Sequence, residues 1–314
     1  MIISASRRTD IPTFYSDWFF NRIKEGVVLV RNPRNYRQIS RVYLTPDVVD
    51  GIVLWTKNPV PMIGRLDELR NFMYYFQFTI TPYGKDIEPG LPQKSTDILT
   101  DFKRISEIIG VDRIIWRYDP ILLNDKYTFD YHIHAFGKIA KELHGYTGRV
   151  TISFVDTNYR GLKSNIEKLK LVSFDNETQI KLASKLASVA HSYGLSIDTC
   201  AEGIDLTKYG IRRARCIDAG LLSKLLGCEL NVEKDKSQRP ECGCISSIDI
   251  GMYNTCLNCC LYCYANYNKN TVEGNCAKHN PCSPMLSGYI GPDDKITERT
   301  MKLYSRNQLG LDCF

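Results

Sequence analysis

The chain has 314 residues, of which 43% are hydrophobic, and its net charge is +6 at neutral pH. This length allows one large domain or two small ones, and the apolar fraction is ordinary for a globular protein with a substantial core. No run of about 18 apolar residues appears, and the first residues, MIISASRR, contain no long apolar segment. We therefore expect a cytoplasmic protein with no membrane partner.

Positive charge and sulfur are distributed unevenly along the chain. Residues 1–46 contain eight Lys or Arg against three Asp or Glu. A basic face attracts anions, including nucleic acid, although a solvated surface is the more ordinary explanation. All twelve cysteines lie at or after Cys200. In a reducing compartment such thiols are metal ligands or buried groups more often than disulfides, so the last third predicts metal chemistry.

In chain order, the first elements are a strand at 1–5, a helix at 15–25 and a strand pair at 27–30 and 39–44. Apolar runs then alternate with helical patterns. The runs are 51–55, 74–81, 113–117, 150–155 and 195–199, and the helical patterns are 61–70, 96–109, 131–143 and 176–193. Such alternation indicates parallel strands that are buried on both faces and joined by right-handed crossovers. We expect an α/β fold, a partial TIM-type (β/α) barrel, over residues 1–202.

The remaining chain divides into two less regular segments. Residues 203–247 are interpreted as an insertion that contains a short helix at 220–226. Residues 248–314 are expected to hold the last barrel strand, which spans about 246–252, then a cysteine-rich loop and a polar tail with a short helix near 296–304.

Three cysteines of this last segment, Cys256, Cys260 and Cys263, have the spacing C-x3-C-x2-C. Three thiolates at this spacing can bind three irons of a [4Fe–4S] cluster and leave the fourth iron open to a substrate or cofactor. A structural zinc site and a disulfide framework are the alternatives. Closed zinc sites usually pair two C-x2-C knuckles, which favours the iron–sulfur interpretation.

The segment CLNCCLYCYA resembles the cluster loop of radical S-adenosylmethionine (SAM) enzymes, and its Y-C-Y run is most similar to the spore photoproduct lyase branch. The chain as a whole, from IISASRRTDIP to this loop, resembles a bacterial family catalogued as a domain of unknown function, DUF1848. The SAM resemblance implies a [4Fe–4S] cluster and SAM as cofactors, and an electron donor such as flavodoxin or ferredoxin. Because radical SAM enzymes carry this loop near the N-terminus, it also implies a permuted barrel.

The same resemblance implies that SAM is cleaved to a 5′-deoxyadenosyl radical, which abstracts hydrogen from a substrate. A nucleic acid or nucleotide, a peptide and a small metabolite are all candidate substrates. Tyr262 would lie against the adenine, Lys57 of WTKNP beside the SAM carboxylate, and Ser153 of TISFVD in contact with SAM. Glu202 is a weak substitute for the missing Gly-Gly-Glu stretch that binds the amino group. The ordinary alternative for Lys57 is a solvent-exposed surface lysine, and the alternative for Ser153 is a buried, hydrogen-bonded hydroxyl.

Polar residues follow the predicted strands at the edge where α/β barrels assemble their active sites. Arg7, Arg8 and Asp10 follow the first strand, and Arg117 and Asp119 end the strand that begins at 113. We expect these five side chains to bind substrate or to pair with each other.

Four further cysteines suggest a second metal site. Cys200, Cys216, Cys242 and Cys244 come from separate segments near the cluster strand. Together they could bind an auxiliary [4Fe–4S] cluster or zinc, although small buried thiols are the ordinary alternative. The i, i+2 spacing of Cys242 and Cys244 would strain a single tetrahedral site.

Two other functions fit parts of the pattern. An iron–sulfur or zinc-stabilised nucleic-acid-binding protein would use the basic N-terminal segment and show no SAM chemistry. A metal-independent barrel hydrolase would use Asp119, Asp156 and Glu202 as acid and base. SAM turnover would distinguish a radical enzyme from the binding protein. The hydrolase would keep its activity in a Cys260→Ala variant.

Overall fold

The computed structural model describes residues 1–92, 96–159, 161–163, 165–172 and 174–305. Residues 306–314, at the end of the expected tail, lie outside the described residues. The strands are β1 (Ile2–Ala5), β2 (Val27–Arg31), β3 (Gln38–Tyr43), β4 (Gly51–Thr56), β5 (Tyr74–Thr79), β6 (Ile114–Ile121), β7 (Arg149–Phe154), β8 (Ser196–Thr199), β9 (Arg212–Arg213), β10 (Ile248–Asp249) and β11 (Lys295–Glu298). The α-helices of these residues are α1 (Ile11–Phe14), α2 (Ser16–Glu25), α3 (Val60–Ile63), α4 (Thr96–Ile109), α5 (Phe129–Leu143), α6 (Ile166–Leu169), α7 (Asn176–Ser192), α8 (Ala219–Leu226) and α9 (Lys269–Cys276).

One sheet of eight strands dominates the fold, in the order β10-β1-β4-β5-β6-β7-β8-β9. Every neighbouring pair in it is parallel. The expected α/β fold with parallel strands is therefore confirmed. The sheet is not closed into a barrel, because β10 and β9 each have one neighbour in the described part of the chain. Both are two residues long and offer few groups for a closing ladder.

The sheet is buried on both faces, as the continuous apolar runs predict. On one face Trp116 stacks on Phe136 of α5, with ring centroids 4.7 Å apart. On the other face Tyr75 donates a hydrogen bond from its hydroxyl to the Cys216 carbonyl, 2.7 Å away, and packs in one buried cluster with Leu222 of α8. Residues 203–247 therefore cover the second face of the sheet.

The last strand of the sheet, β10, lies beside the first strand, β1. Ser4 pairs with Asp249 across the ladder. The Asp249 carboxylate accepts hydrogen bonds from Ser4 Oγ at 3.1 Å, the Arg7 backbone N–H at 2.8 Å and the Gly251 backbone N–H at 3.0 Å. This carboxylate holds the end of β1 against the start of the cysteine loop, so residues more than 240 positions apart meet at one edge.

A second sheet has the order β11-β3-β2. The expected hairpin is confirmed, because β2 and β3 pair antiparallel. The expected helix at 296–304 is wrong, since Ile296 and Thr297 pair with Ile39 and Ser40 of β3 in a parallel strand. Both residues are β-branched, which favours the extended chain.

Three other expectations differ from the structure in their extent. The single helix expected at 61–70 is divided near Gly64 into α3 and a 3-10 turn, Leu66–Leu69. The strand expected at 246–252 is reduced to β10, and the sequence did not predict α9. Among the described helices, none combines the length and apolar character that a membrane crossing requires.

Candidate metal and cofactor site

The carboxyl ends of the parallel strands open into one cavity of about 520 Å³, called here the central cavity. All but one of the site residues expected from the sequence line it. They are Arg7, Arg8, Asp10, Lys57, Arg117, Asp119, Ser153, Cys200, Cys216, Cys242, Cys244, Cys256, Cys260, Tyr262 and Cys263. The exception is Glu202, whose Oε1 accepts the backbone N–H of the cavity residue Phe154 at 2.8 Å. Glu202 is therefore directly behind the cavity wall, where burial raises its pKa to about 7.

The cysteine loop, residues 253–266, follows β10 and brings Cys259 as well as the three expected cysteines to the central cavity. Cys256, Cys260 and Cys263 all line it. Burial is the main cause that raises the pKa of Cys260, while the Lys57 ammonium acts in the opposite direction. Burial, the Asp10 carboxylate and the neighbouring thiols also raise the pKa of Cys256. A bound cation would favour the thiolate forms, because metal binding displaces thiol protons.

Backbone of two other loops packs directly against the cysteine loop. A Cβ added at Gly90 would meet the Leu257 carbonyl oxygen at 2.1 Å and the Asn258 carbonyl oxygen at 2.7 Å. A Cβ at Gly161 would lie 3.1 Å from the Cys263 carbonyl oxygen. Only glycine permits so close an approach at Gly90, so the position of the cysteine loop depends on this contact.

Two amide oxygens in the wall of the central cavity lack a protein partner. Among the described residues, Asn258 Oδ1 and Asn266 Oδ1 are buried without a hydrogen bond, and both residues line the cavity. The amide nitrogens are engaged, since Asn258 Nδ2 donates to Asp10 at 3.2 Å and Asn266 Nδ2 donates to the Cys256 carbonyl at 2.7 Å. An unpaired buried acceptor is costly, so these oxygens are suited to donors of a bound molecule.

A buried carboxylate that the sequence analysis missed connects two expected cofactor residues. Glu88 accepts hydrogen bonds from Lys57 Nζ at 2.9 Å, from Thr81 Oγ1 at 2.8 Å and from the Tyr262 hydroxyl. Lys57 Nζ also lies 5.5 Å from the Tyr262 ring centroid. Burial lowers the pKa of Lys57, but the nearby Glu88 carboxylate outweighs this and the net shift is upward. Glu88 follows β5 in the short segment EPG, which matches no motif considered in the sequence.

Asp10 acts as a junction between three segments at the cavity edge. Its Oδ1 accepts the Thr13 backbone N–H at 3.1 Å, which caps α1. Its Oδ2 accepts the Lys57 backbone N–H at 2.8 Å and Asn258 Nδ2 at 3.2 Å. Burial raises the pKa of Asp10 despite these bonds. In the structure the carboxylate therefore positions the cysteine loop.

The two arginines expected beside Asp10 also reach the central cavity. Arg7 Nη2 lies 3.6 Å from Asp235, and Arg8 Nε lies 3.9 Å from Asp249. The Arg8 guanidinium is also 5.1 Å from the ring centroid of Tyr253. Since neither ion pair is short, both guanidinium groups keep donors for an anionic ligand.

Arg117, Asp119 and Ser153 form one hydrogen-bonded group in the cavity floor. Asp119 accepts from Arg117 Nε at 3.1 Å, from Arg117 Nη2 and from Ser153 Oγ. Burial raises the pKa of Asp119, but Arg117 and Ser153 outweigh it and hold the pKa below its usual range. Asp156 pairs with Arg239 at 3.0 Å. The carboxylates considered for a hydrolase are thus ion-paired in this structure, apart from Glu202.

The four-cysteine group consists of Cys200, Cys216, Cys242 and Cys244, which line one side of the central cavity. Cys200 Sγ and Cys216 Sγ are 3.4 Å apart. Cys216 and Cys242 both interact with the Cys244 thiol, and the interaction with Cys244 lowers the pKa of Cys242 to about 7. Arg117 Nη1 donates to Cys216 Sγ at 2.9 Å. Three segments, around residues 200, 216 and 242–244, thus bring the four thiols into one connected row.

The donors fit an iron–sulfur or zinc site better than a hard cation. Within the described residues, no three His, Cys, Asp or Glu side chains already stand in a metal-coordinating arrangement. Whether a metal fits is therefore judged from the chemistry of the donor atoms. Two separate sets of cysteine thiols face the same cavity. Thiolates are the usual ligands of iron–sulfur clusters and of structural zinc. The residues present therefore fit a cluster in the cysteine loop.

Comparison with known proteins identifies a family. The family described as "Domain of unknown function (DUF1848)" matches residues 2–265. The chain belongs to this family, and the match includes both β1 and the cysteine loop. No curated protein matches the chain. The family description carries no activity, so the function is argued from the site.

Proposed function

We propose that this protein is a radical SAM enzyme whose [4Fe–4S] cluster is bound by Cys256, Cys260 and Cys263. The observation that carries the proposal is that these thiols share one cavity with Lys57 and Tyr262. When bound, the cluster would supply one electron to SAM and so generate the 5′-deoxyadenosyl radical that takes a hydrogen atom from the substrate.

The topology supports a permuted, partial version of the TIM-type barrel. From β1 to β9 the sheet order follows the chain without reversal, as in a barrel opened between two strands. The last strand, β10, lies beside the first strand on its outer side. This arrangement lets a loop near residue 260 occupy the position that an N-terminal loop has in other enzymes of the class.

The side chains around the cysteine loop suit the three polar parts of SAM. The Tyr262 ring can cover the adenine, and the Lys57 ammonium can pair with the carboxylate. Glu88, 2.9 Å from Lys57 Nζ, can accept the amino group in place of a Gly-Gly-Glu stretch. The Ser153 hydroxyl hydrogen is already donated to Asp119. Ser153 can therefore contact SAM only by accepting a hydrogen bond at its Oγ. Glu202 serves the Phe154 backbone and fits the amino group less well than Glu88.

The four-cysteine group supports a second metal site, either a [4Fe–4S] cluster or zinc. Arg7 and Arg8 line the same cavity and favour an anionic substrate, of which a nucleic acid or nucleotide is one class. Arg117 and Asp119 would complete the substrate side of the cavity, while Asp10 holds the cysteine loop.

The alternative, a metal-stabilised nucleic-acid-binding protein, draws support from the hairpin between β2 and β3. Tyr36 in this hairpin is 67% exposed, and the Arg31 guanidinium lies 4.4 Å from its ring centroid. Exposed aromatic rings beside arginines are suited to stacking on bases. Such a protein would bind zinc or iron but would not cleave SAM.

The test compares four proteins prepared and reconstituted without oxygen: the wild type, Cys260→Ala, Cys216→Ala and the exposed-cysteine control Cys282→Ala. Iron, sulfide and zinc are measured, followed by 5′-deoxyadenosine release from SAM after reduction with dithionite. With two clusters the wild type should bind about eight irons, and each of the first two variants about four. Release should disappear in Cys260→Ala and persist in the control.

Other outcomes would favour the rival functions. Zinc without iron, or iron without SAM cleavage, would reject the radical SAM proposal and favour the binding protein. An activity that is lost in Asp119→Ala but retained in Cys260→Ala would favour the hydrolase.

A further inference from the structure

A second cavity, of about 840 Å³, runs along the outer edge of the large sheet at β9 and is called here the edge cavity. Its charged lining residues are Arg149, Asp198, Arg212, Arg213, Arg215 and Asp218. The starts of β7 and β8 form its inner wall, so it lies away from the mouth at which the cysteine loop closes the central cavity. None of the residues proposed above to bind SAM lines it.

The charge of the edge cavity is unbalanced. Both aspartates pair with Arg149, whose Nε is 2.5 Å from Asp198 and whose Nη1 is 3.1 Å from Asp218. Arg212, Arg213 and Arg215 are exposed. In the described ranges, no carboxylate lies within ion-pair distance of these three. The pKa of Asp205 is lowered chiefly by hydrogen bonds from Thr207 and only secondarily by Arg213 and Lys208.

The basic edge is continuous with the four-cysteine group. Arg215 immediately precedes Cys216, and Arg213 pairs in the sheet with Thr199, which precedes Cys200. The Arg215 side chain also packs on Gly243, between the other two cysteines of the group, because a Cβ there would be 2.9 Å from Arg215 Cγ. The exposed arginines therefore adjoin, along the chain, across the sheet or by packing, each of the segments that carry the four cysteines.

We propose that this edge docks an acidic one-electron carrier protein, an inference that rests on the proposed function. Each SAM cleavage consumes one electron, so the carrier is oxidised by one electron while the metal centre of the enzyme is reduced by one. The four-cysteine group is the nearest set of metal ligands to the docked carrier. The central cavity, which the same cysteines line, then lies on the far side of the group from the carrier.

The lining of the edge cavity favours a protein over a nucleic acid. Of the described residues that form it, none is Phe, Tyr or Trp, so bases would find no stacking platform. Electron-transfer complexes are small and transient, and complementary charges chiefly raise their association rate. A concave row of unpaired arginines provides that complementarity, and salt would weaken it.

The test uses reconstituted protein, an acidic flavodoxin as probe and two matched double variants. The edge variant carries Arg212→Glu and Arg213→Glu. The control carries Arg104→Glu and Lys141→Glu, which make the same change of charge at exposed positions of α4 and α5. Flavodoxin binding is measured by calorimetry at low and high salt, and SAM cleavage is measured with reduced flavodoxin and separately with dithionite.

We expect the edge variant to bind flavodoxin about tenfold or more weakly and to lose flavodoxin-driven cleavage, while cleavage driven by dithionite is unchanged. The control should behave as the wild type, and Arg212→Lys with Arg213→Lys should retain binding. Equal binding by the edge variant and the control would overturn the proposal. Loss of single-stranded oligonucleotide binding alone, with flavodoxin binding intact, would also overturn it. If dithionite drives no cleavage in the wild type, the proposed enzyme function fails, and the binding measurement still decides whether the edge docks the carrier.

Discussion

The two sets of cysteines are built in opposite ways. In the cysteine loop, Cys256, Cys260 and Cys263 come from eight consecutive residues, and the loop is held from outside by other segments. In the four-cysteine group the thiols come from three separate segments. Cys200 and Cys216 are brought together by the pairing of β8 with β9. The first set depends on local spacing, and the second depends on the completed fold.

Each set also lies beside a buried ion pair of its own. Lys57 and Glu88 adjoin the cysteine loop, and Arg117 and Asp119 adjoin the four-cysteine group. The two pairs have different hydrogen-bond partners, so the two sets should respond differently to mutation, although Lys57 and Asp119 also attract each other.

The largest difference between the two cysteine sets is expected in the Gly90→Ala variant. Because the new methyl group would meet the Leu257 carbonyl at 2.1 Å, the cysteine loop must move while the four-cysteine group keeps its contacts. We expect the variant to lose most of the loop iron, and SAM cleavage to fall about 100-fold, the scale of a misplacement of about 1 Å. Gly64→Ala is the control, since nothing lies within 4 Å of its added Cβ. Normal loop iron in Gly90→Ala would show that this contact does not position the loop.

A smaller effect is expected when the buried pair beside the cysteine loop is broken. Glu88→Gln keeps an acceptor for Thr81 and Tyr262 but leaves the Lys57 ammonium without its carboxylate, which should lower the free energy of unfolding by about 3 kcal/mol. Adding Lys57→Met should recover most of that loss. Asp86→Asn, which breaks the exposed pair with Lys126, should cost less than about 1 kcal/mol. Urea unfolding of the metal-free wild type and of these three variants measures the changes. No recovery of stability in the double variant would contradict a direct Lys57–Glu88 interaction.

The smallest predicted effect is a pH dependence of the stability of β6, the strand that carries Arg117 and Asp119 to the four-cysteine group. His132 lies behind this strand, with Nδ1 2.8 Å from the Tyr118 hydroxyl and Nε2 2.8 Å from the Leu122 carbonyl. Burial lowers the pKa of His132 from 6.5 to about 4, so the neutral form is favoured in the folded chain. Its stabilising effect is complete above pH 6.5 and is lost as the pH falls toward 4.

At pH 5 this histidine alone should cost about 2 kcal/mol of stability relative to pH 8. His132→Gln should lack that part of the pH dependence, which urea unfolding at the two pH values measures. An identical pH dependence in both proteins would mean that His132 does not titrate as its burial indicates.

Much of the fold could be predicted because continuous apolar runs reflect burial on both faces of a sheet. The helix at 96–109 agrees with α4 in both bounds, and every run from 51 to 199 corresponds to a parallel strand. Whether the sheet closes could not be predicted, because closure depends on hydrogen bonds at the edges rather than on periodicity. The strand β11 was mistaken for a helix because Ile296 and Thr297 are extended only through their pairing with β3.

The candidate site likewise has some residues that could be predicted from the sequence and others that could not. The cysteine spacing is a local pattern, so it could be identified from the sequence. Glu88 could not, because its importance comes from Lys57 and Tyr262, which lie 31 and 174 positions away along the chain. The unpaired amide oxygens of Asn258 and Asn266 are likewise visible only once neighbouring atoms have positions.

The pairing of β10 with β1 also determines when the site can form during synthesis. The ribosome releases about the first two thirds of the chain, which contains no cysteine, before any thiol appears. Until residues 248–265 emerge, β1 lacks its outer neighbour and Asp249 cannot bond to Ser4. A contact of such long sequence separation forms late in folding. Insertion of the proposed cluster would then follow formation of the scaffold, because an unfinished chain has no assembled cysteine loop.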